Sequence, residues 1–122
     1  MNADPTVNVV VCEIAVSDRL EKLVGDGPTR SDDCVRAVWH ALIAKHGVRP
    51  QDVRRLYSEW EPSTADKAFI DATFSTNLEV TYSFSRPAEG GWEQAMRQVA
   101  RTIAAAGEET TKPHKPWWRF WG

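Results

Sequence analysis

The sequence predicts an α/β domain whose mixed sheet is covered by helices. Two observations predict this fold class. Stretches of β-branched or alternating apolar residues take turns along the chain with stretches whose apolar residues recur every three or four positions. The links between these stretches are short, which favours parallel strands in the later part of the sheet. The predicted order of elements is β(β)αβαβα.

The bulk composition limits the classes of function. The chain has 122 residues, enough for one domain with a real core. It carries 15 basic and 17 acidic residues, a net charge of −2, so no global basic field attracts nucleic acid. Cys12 and Cys34 lack a CxxC partner and are expected to be buried free thiols. The first residues show no secretory signal, so the cytoplasm is the expected location.

The first half of the chain predicts a strand, a weak hairpin and a helix. Thr6–Val16 is β-branched and apolar, as in a buried strand. Leu20–Val24 is either a returning strand or a helical turn, and Gly25–Pro28 is expected to be a loop. The first helix is expected to begin near Ser31, whose hydroxyl can cap it, and to end at Gly47.

The second half of the chain again alternates predicted strands with predicted helices. Val53–Trp60 predicts a strand, and Pro62 then occupies a position that the first turn of a helix tolerates. Leu78–Phe84 alternates well enough to predict a further strand, and Trp92–Ala105 has the apolar spacing of an amphipathic helix. The folded domain is therefore expected to span residues 1–106.

One run within this pattern resembles a known superfamily. Residues 53–87, "VRRLYSEWEPSTADKAFIDATFSTNLEVTYSFSRP", resemble the strand, PCxxC helix and following strand of the zinc-dependent cytidine deaminase superfamily. The resemblance is nearest to the small bacterial toxin-type deaminase domains that act on nucleic acids or nucleotides. It implies a three-layer fold with a sheet of four to five strands and helices on both faces.

The superfamily's chemistry requires two helix starts. One carries His-Ala-Glu or His-Ser-Glu, which supplies a zinc ligand and a proton-shuttling glutamate, and the PCxxC start supplies two thiolates. The zinc ion activates a water molecule that attacks cytosine or adenine. Zinc is therefore the cofactor that the resemblance implies.

This chain departs from that pattern at both motifs. Pro62 matches the proline, but Ser63 and Asp66 stand where the cysteines belong. The first motif maps in the preferred register onto Arg30-Ser31-Asp32, and in the alternative register onto His40-Ala41-Leu42. Neither register supplies both the histidine and the glutamate. We call the corresponding region the remnant pocket, with candidate residues Arg30, Ser31, Asp32, Glu59, Pro62, Ser63 and Asp66.

Two interpretations of the remnant pocket follow. In the structural one, Ser63 caps the second helix and Asp66 is a first-turn acid stabilised by the helix dipole. In the other, the pocket is repurposed to hold a ligand or a partner's side chain. No catalytic residue is predicted and no metal ligand set, because oxygen ligands alone suit magnesium or calcium better than zinc.

The chain ends in a polar linker and an aromatic tail. Residues 107–116 contain two prolines and are expected to be flexible. Residues 117–122, "WWRFWG", join aromatic and basic side chains, which suit docking on a protein partner or contact with a membrane interface. Base stacking on single-stranded nucleic acid is a third, less favoured interpretation. The candidate binding residues are Trp117, Trp118, Arg119, Phe120 and Trp121.

These features together predict a pseudoenzyme: a deaminase-like domain without catalytic activity that acts as a binding or regulatory module. A protein partner is expected, and the resemblance implies a bacterial toxin or conflict system as the setting. Two alternatives stay open. One is a divergent but active nucleic-acid or nucleotide deaminase; the other is a peripheral membrane adaptor that binds through its tail.

Overall fold

The computed structural model describes residues 4–109, with side chains as far as residue 105. Two compact units make up this part of the chain. Val7–Arg86 form the first unit, and the second contains the chain ends, described over residues 4–6 and 87–109. The predicted aromatic tail, residues 117–122, lies outside the described residues.

The elements follow the predicted order. They are β1 (Val7–Val16), β2 (Arg19–Pro28), α1 (Cys34–His46), a 3₁₀ turn (Pro50–Asp52), β3 (Val53–Trp60), α2 (Thr64–Thr73), β4 (Glu79–Phe84) and α3 (Trp92–Glu109). The order β(β)αβαβα is thus confirmed, and the second strand of the hairpin, which the sequence left open, is present.

The first unit contains one mixed sheet in the order β2-β1-β3-β4. β1 runs antiparallel to both β2 and β3, and β3 runs parallel to β4. The expected parallel pairing in the later part of the sheet is therefore confirmed. The described residues give four strands, within the predicted range of four to five.

β2 is longer than the sequence suggested. The predicted loop Gly25–Pro28 continues the strand and pairs with β1 to its end. The glycines there serve the packing of α1, since a Cβ atom on Gly25 would lie 2.6 Å from Cγ1 of Val38. A glycine inside a strand often marks a place where another element approaches closely, as α1 does here. From composition alone, residues 25–28 resembled a turn.

The core of the first unit lies between one face of the sheet and helices α1 and α2. β1 contributes alternate side chains, β3 contributes two buried side chains, and α1 presents an apolar stripe. Trp39 of α1 meets Phe74 edge-on, with 4.9 Å between ring centroids. Both helices of this unit cover the same face, so helices on both faces stay a prediction. The core residues are Val10, Cys12, Ile14, Cys34, Val35, Val38, Trp39, Leu42, Val53, Leu56, Ile70 and Phe74.

α1 begins later than the sequence predicted. Its first residue is Cys34 and its N-cap is Asp33, which makes no capping hydrogen bond through its side chain. The hydroxyl of Ser31 instead donates to the carboxylate of Asp33. The helix ends as expected, because Gly47 adopts the left-handed conformation with φ of 66°.

In the second unit, α3 is four residues longer than the predicted Trp92–Ala105. It continues through Gly107 to Glu109, so the first three residues of the linker expected at 107–116 are helical, and the others lie outside the described residues. Among the described residues, no helix combines the length and the apolar character that crossing a bilayer requires.

Candidate functional site

The N-terminus of α2 is capped as the structural interpretation predicted. Ser63 is the N-cap residue in an extended conformation, and its hydroxyl oxygen accepts a hydrogen bond from the backbone N–H of Asp66 at 3.0 Å. The proline before it, Pro62, ends the extended segment after β3. The cap of α2 is therefore supplied by the local sequence.

Asp66 connects this helix to α1. Its Oδ2 accepts a hydrogen bond from the backbone N–H of Val35 at 3.0 Å, and its Oδ1 accepts one from Arg36 at 3.3 Å. Both donors belong to the first turn of α1, which has no side-chain cap of its own. In a capping box the acid at this position bonds back to its own N-cap residue. Here the carboxylate caps a second helix instead.

Ser63 adds a second bond between the two helix starts. Its hydroxyl donates to the backbone carbonyl of Asp32 at 2.5 Å. The oxygen atom is thus both donor and acceptor, and both bonds hold backbone groups. We call Ser63, Asp66 and the backbone groups that they bind the helix-start link.

Arg86 binds the same turn before α1 that Ser63 contacts. Its guanidinium donates to the Asp32 carboxylate at 3.1 Å and to the backbone carbonyl of Arg30 at 3.3 Å. The turn that precedes α1 is therefore held both from α2 and from the segment that follows β4. The ion pair lies at the surface, since the side chain of Asp32 is 85% exposed, so it contributes little stability.

A buried polar cluster lies behind the start of α1. Asn8 donates from Nδ2 to the hydroxyl of Ser58 at 2.9 Å and lies 3.4 Å from the sulfur of Cys34. Its Oδ1 accepts from the backbone N–H of Trp60 at 2.9 Å, and Ser58 donates to the Trp60 carbonyl at 2.6 Å. The pairing of β1 with β3 ends at Val10 and Ser58. Beyond that pair, the side chain of Asn8 makes the bonds between the two strands.

Burial shifts the titration of the groups nearest to the helix-start link. The pKa of Asp66 is raised, because desolvation outweighs the two backbone hydrogen bonds that favour its charged form. The pKa of the Cys34 thiol is also raised, chiefly by desolvation. Burial raises the pKa of Cys12 to about 12. Both cysteines are buried free thiols, as predicted.

These residues do not fit a zinc ion. A catalytic zinc site needs three protein ligands with an open position, and cysteine binds the metal as thiolate. Both carboxylate oxygens of Asp66 already accept backbone hydrogen bonds, and the other groups of the helix-start link are a serine hydroxyl and backbone atoms, which are not the Cys, His, Asp or Glu side chains that bind zinc. Between residues 4 and 109, no three histidine, cysteine or acidic side chains are grouped so that they could hold a metal ion.

The structure brings only part of the predicted remnant pocket together. Ser63 bonds to the backbone carbonyl of Asp32, in the turn that contains Arg30, Ser31 and Asp32, and Asp66 bonds to the first turn of α1 just after it. That turn precedes α1, whose first residue is Cys34, so the preferred register places Arg30-Ser31-Asp32 before the helix and not in its first turn. In the alternative register, His40 lies in the middle of α1 with its side chain exposed.

Glu59 lies away from the helix-start link. Ser58 pairs with Val10 and shares the sheet face that α1 and α2 cover. Glu59 follows Ser58 directly and therefore points to the opposite face. It is 1% exposed. The proximity of Glu59 to Pro62 in the sequence placed it in the remnant pocket, whereas the alternation of side chains along β3 separates it from Asp66.

Sequence reasoning missed Asn8, Cys34 and Arg86 as neighbours of this region. An asparagine inside the apolar run of β1 was a usable signal, because a buried amide requires partners. Cys34 was expected to be buried but not to be the first residue of α1. Nothing near Arg86 in the sequence indicates that it binds the turn at Arg30, 56 residues away.

Pro62 lines a separate groove between α2 and β4. The groove has a volume of about 250 Å³, and its other lining residues are Lys67, Ile70, Asp71, Val80 and Tyr82. Val80 and Tyr82 alternate on one face of β4 and are 38% and 46% exposed. Large apolar side chains thus remain accessible beside the buried Ile70. This is an open groove at the edge of the sheet.

Comparison with known proteins adds no assignment. No protein-family model matches the chain, and no curated protein sequence matches it.

Proposed function

We propose that the chain is a catalytically inactive, deaminase-like domain that acts as a binding or regulatory module for a protein partner. A bacterial toxin or conflict system is the setting that the resemblance implies. The observation that carries the proposal is the helix-start link. The two side chains at the places of the superfamily's cysteines hold backbone groups of two helices together, and so they serve the fold.

The topology supports the deaminase-like part of the proposal. The superfamily's chemistry needs two helix starts that face one another, and the starts of α1 and α2 do meet through Asp66. Each of these helices follows a strand of the same mixed sheet. A chain that kept this frame while losing the zinc ligands would present the arrangement seen here.

The first turn of α1 supports the loss of activity. The superfamily places a zinc ligand and, two residues later, a glutamate at this helix start. In this chain the helix starts with Cys34, Val35 and Arg36. Residues 30–36, which form this helix start and the turn before it, contain neither a histidine nor a glutamate, so the pair that the mechanism requires is absent there.

The binding part of the proposal rests on surfaces that the helix-start link does not use. The groove between α2 and β4 leaves Val80 and Tyr82 accessible. The sequence of residues 117–121 combines four aromatic residues with an arginine, the residue types that dominate binding energy at protein interfaces.

Two assays on the full chain, purified without chelators, test the proposal. Metal analysis is expected to give far less than one zinc per chain. Incubation with single-stranded DNA, RNA, cytidine and adenosine is expected to release no more ammonia than buffer alone. Stoichiometric zinc together with turnover would establish an active deaminase and end the proposal.

A flotation assay separates protein docking from the membrane alternative. The full chain and its Trp117→Ala plus Trp118→Ala variant are mixed with liposomes that contain anionic lipid. The proposal predicts that neither protein floats with the liposomes. Flotation of the full chain that the double substitution abolishes would favour a membrane adaptor over a protein-binding module.

A further inference from the structure

We propose that the groove and the outer edge of β4 bind an extended peptide from a partner protein. The peptide adds a strand beside β4, places one large apolar side chain in the groove and sets a basic side chain beside Asp71. This inference names the surface and the partner chemistry of the proposed binding function, and so it rests on that function.

The outer edge of β4 is suited to pair with a strand. β4 pairs with β3 on one side, and the described residues supply no strand on its other side. Edge strands are usually protected by charged residues, proline or bulges. β4 has a single charged residue, Glu79, which pairs with Arg55 at 3.1 Å. Residues 80–84, "VTYSF", contain no such protection.

The volume of the groove indicates whether a small molecule or a single side chain fits it better. Pockets for drug-sized ligands and cofactors have volumes of about 300–1,000 Å³. The groove, at about 250 Å³, suits one large side chain better than a nucleotide or cofactor. Pro62, Ile70, Val80 and Tyr82 give it mainly apolar walls, so an aromatic or large aliphatic side chain is the matching occupant.

The charges at the rim of the groove favour a basic residue in the peptide beside the apolar side chain that fills the groove. Of the two charged residues in the lining, Lys67 is already paired with Glu61 at 2.6 Å. Asp71 is exposed and forms no ion pair with any residue in the described part of the chain. The rim therefore presents one available negative charge, which favours a lysine or arginine on the peptide.

Strand addition combines these features. Backbone hydrogen bonds along a sheet edge supply affinity, and pockets for alternate side chains supply specificity. Val80 and Tyr82 share the face that borders α2, so an added strand presents its same-face side chains to the groove. The partner chemistry is thus an extended segment that holds an aromatic and a basic residue close together.

The test uses a synthetic peptide with the sequence of residues 112–122, "KPHKPWWRFWG", which has this chemistry. A second peptide replaces its lysines and arginine with glutamate. The receptor is the full chain with Trp117→Ala and Trp118→Ala, so that its own tail does not compete. Binding is measured by calorimetry at low salt, because rim charges are screened by salt.

The basic peptide is expected to bind about two- to fivefold more tightly than the acidic one, since one exposed ion pair changes affinity by up to about fivefold. Asp71→Lys is expected to reverse this preference, while Asp18→Lys, which makes the same charge change on an exposed turn, leaves it unchanged. Tyr82→Ala should weaken both peptides. Methylation of alternate peptide nitrogens should abolish binding, because it removes the strand's backbone donors.

Other outcomes would overturn the inference. Absence of binding at millimolar peptide, equal effects of Asp71→Lys and Asp18→Lys, or full affinity of the methylated peptide would each do so. Such results leave the proposed binding module intact and only exclude this surface. Zinc-dependent deamination would end the proposed function whatever the peptides show, so the two failures are distinguishable.

Discussion

The carboxylate of Asp66 in α2 lies 3.0 Å from the backbone nitrogen of Val35 in α1, 31 residues earlier in the chain. The first N–H groups of a helix have no partner within the helix, and a buried helix start must find one elsewhere. Asp66 is 2% exposed and Val35 is 1% exposed, so water does not fill this role. A side chain from the first turn of α2 thus completes the start of α1.

Removal of this carboxylate should be costly. Asp66→Ala leaves two N–H donors of α1 without acceptors, and each buried unsatisfied donor costs about 1–3 kcal/mol. We expect the free energy of unfolding to fall by about 2–4 kcal/mol in urea titrations. Asp71→Ala, on the exposed side of the same helix, should change it by less than about 0.5 kcal/mol. Equal effects of the two substitutions would contradict the capping role.

Ser63 and Asp66 should act as one unit. Ser63→Ala removes the cap of α2 and the bond to the Asp32 carbonyl, at a cost of about 1–2 kcal/mol. Because both residues hold the same two helix starts together, the double substitution should cost less than the sum of the single ones. A double-mutant cycle is expected to give a coupling energy above about 0.5 kcal/mol. Strict additivity would show that the two contacts are independent.

Asp66 should also make stability depend on pH. Desolvation by burial raises its folded-state pKa above the ordinary value of 3.8, so the folded protein binds this proton more readily than the unfolded chain. The resulting stabilisation is fully present below 3.8 and is lost as the pH rises through the folded pKa.

Comparison with the Asp66→Asn variant isolates this effect. The lowered pKa values of Glu61 and Asp52 make the folded state less stable as the pH falls, but they do so equally in both proteins and cancel in the comparison. As the pH falls from 7 to about 4, the unfolding free energy of the natural chain should rise relative to that of the variant. A constant difference across this range would show that the pKa of Asp66 is not raised.

Asn8 should be essential to the junction of β1 and β3. Asn8→Ala leaves the Trp60 N–H without its acceptor and removes the amide that donates to Ser58. We expect a loss of about 2–3 kcal/mol of unfolding free energy. Asn77→Ala, at an exposed position, is the matched control and should have little effect. A small effect at Asn8 would mean that the sheet end rearranges to pair these groups.

Gly25 should resist substitution because α1 packs closely on β2. The Cβ of Gly25→Ala would lie 2.6 Å from Cγ1 of Val38, so either the Val38 side chain or α1 must shift, at a cost of about 1–3 kcal/mol. In a Val38→Ala background this methyl is gone, and the added cost of Gly25→Ala should be much smaller. Thermal unfolding of the four proteins measures this. An unchanged cost in that background would place the obstacle elsewhere.

The sequence predicted the elements whose signals are local. Periodicity identified β1, α1, β3, α2 and β4, and capping chemistry identified Ser63. The predictions were wrong where a distant residue decides the structure. Gly25 belongs to a strand because Val38 packs on it, and α1 begins at Cys34 because Asp66, from another helix, caps it there.

The part of the remnant pocket that depends on local sequence was also predictable. Ser63 and Asp66 were placed by the pattern around Pro62, which fixes their positions in the first turn of α2. Glu59 was placed near them by distance along the chain, yet the alternation of β3 directs it to the other face. Asn8 and Arg86 reach the region from strand and loop segments that no local motif connects to it.

The zinc dependence of unfolding tests the central claim most directly. A ligand that binds only the folded state raises the unfolding free energy by RT ln(1 + [L]/Kd). If Ser63 and Asp66 hold the two helix starts together and form no zinc site, the full chain will unfold at the same urea concentration in excess zinc and in chelator. A zinc-dependent increase in the unfolding free energy that Asp66→Ala abolishes would contradict this account.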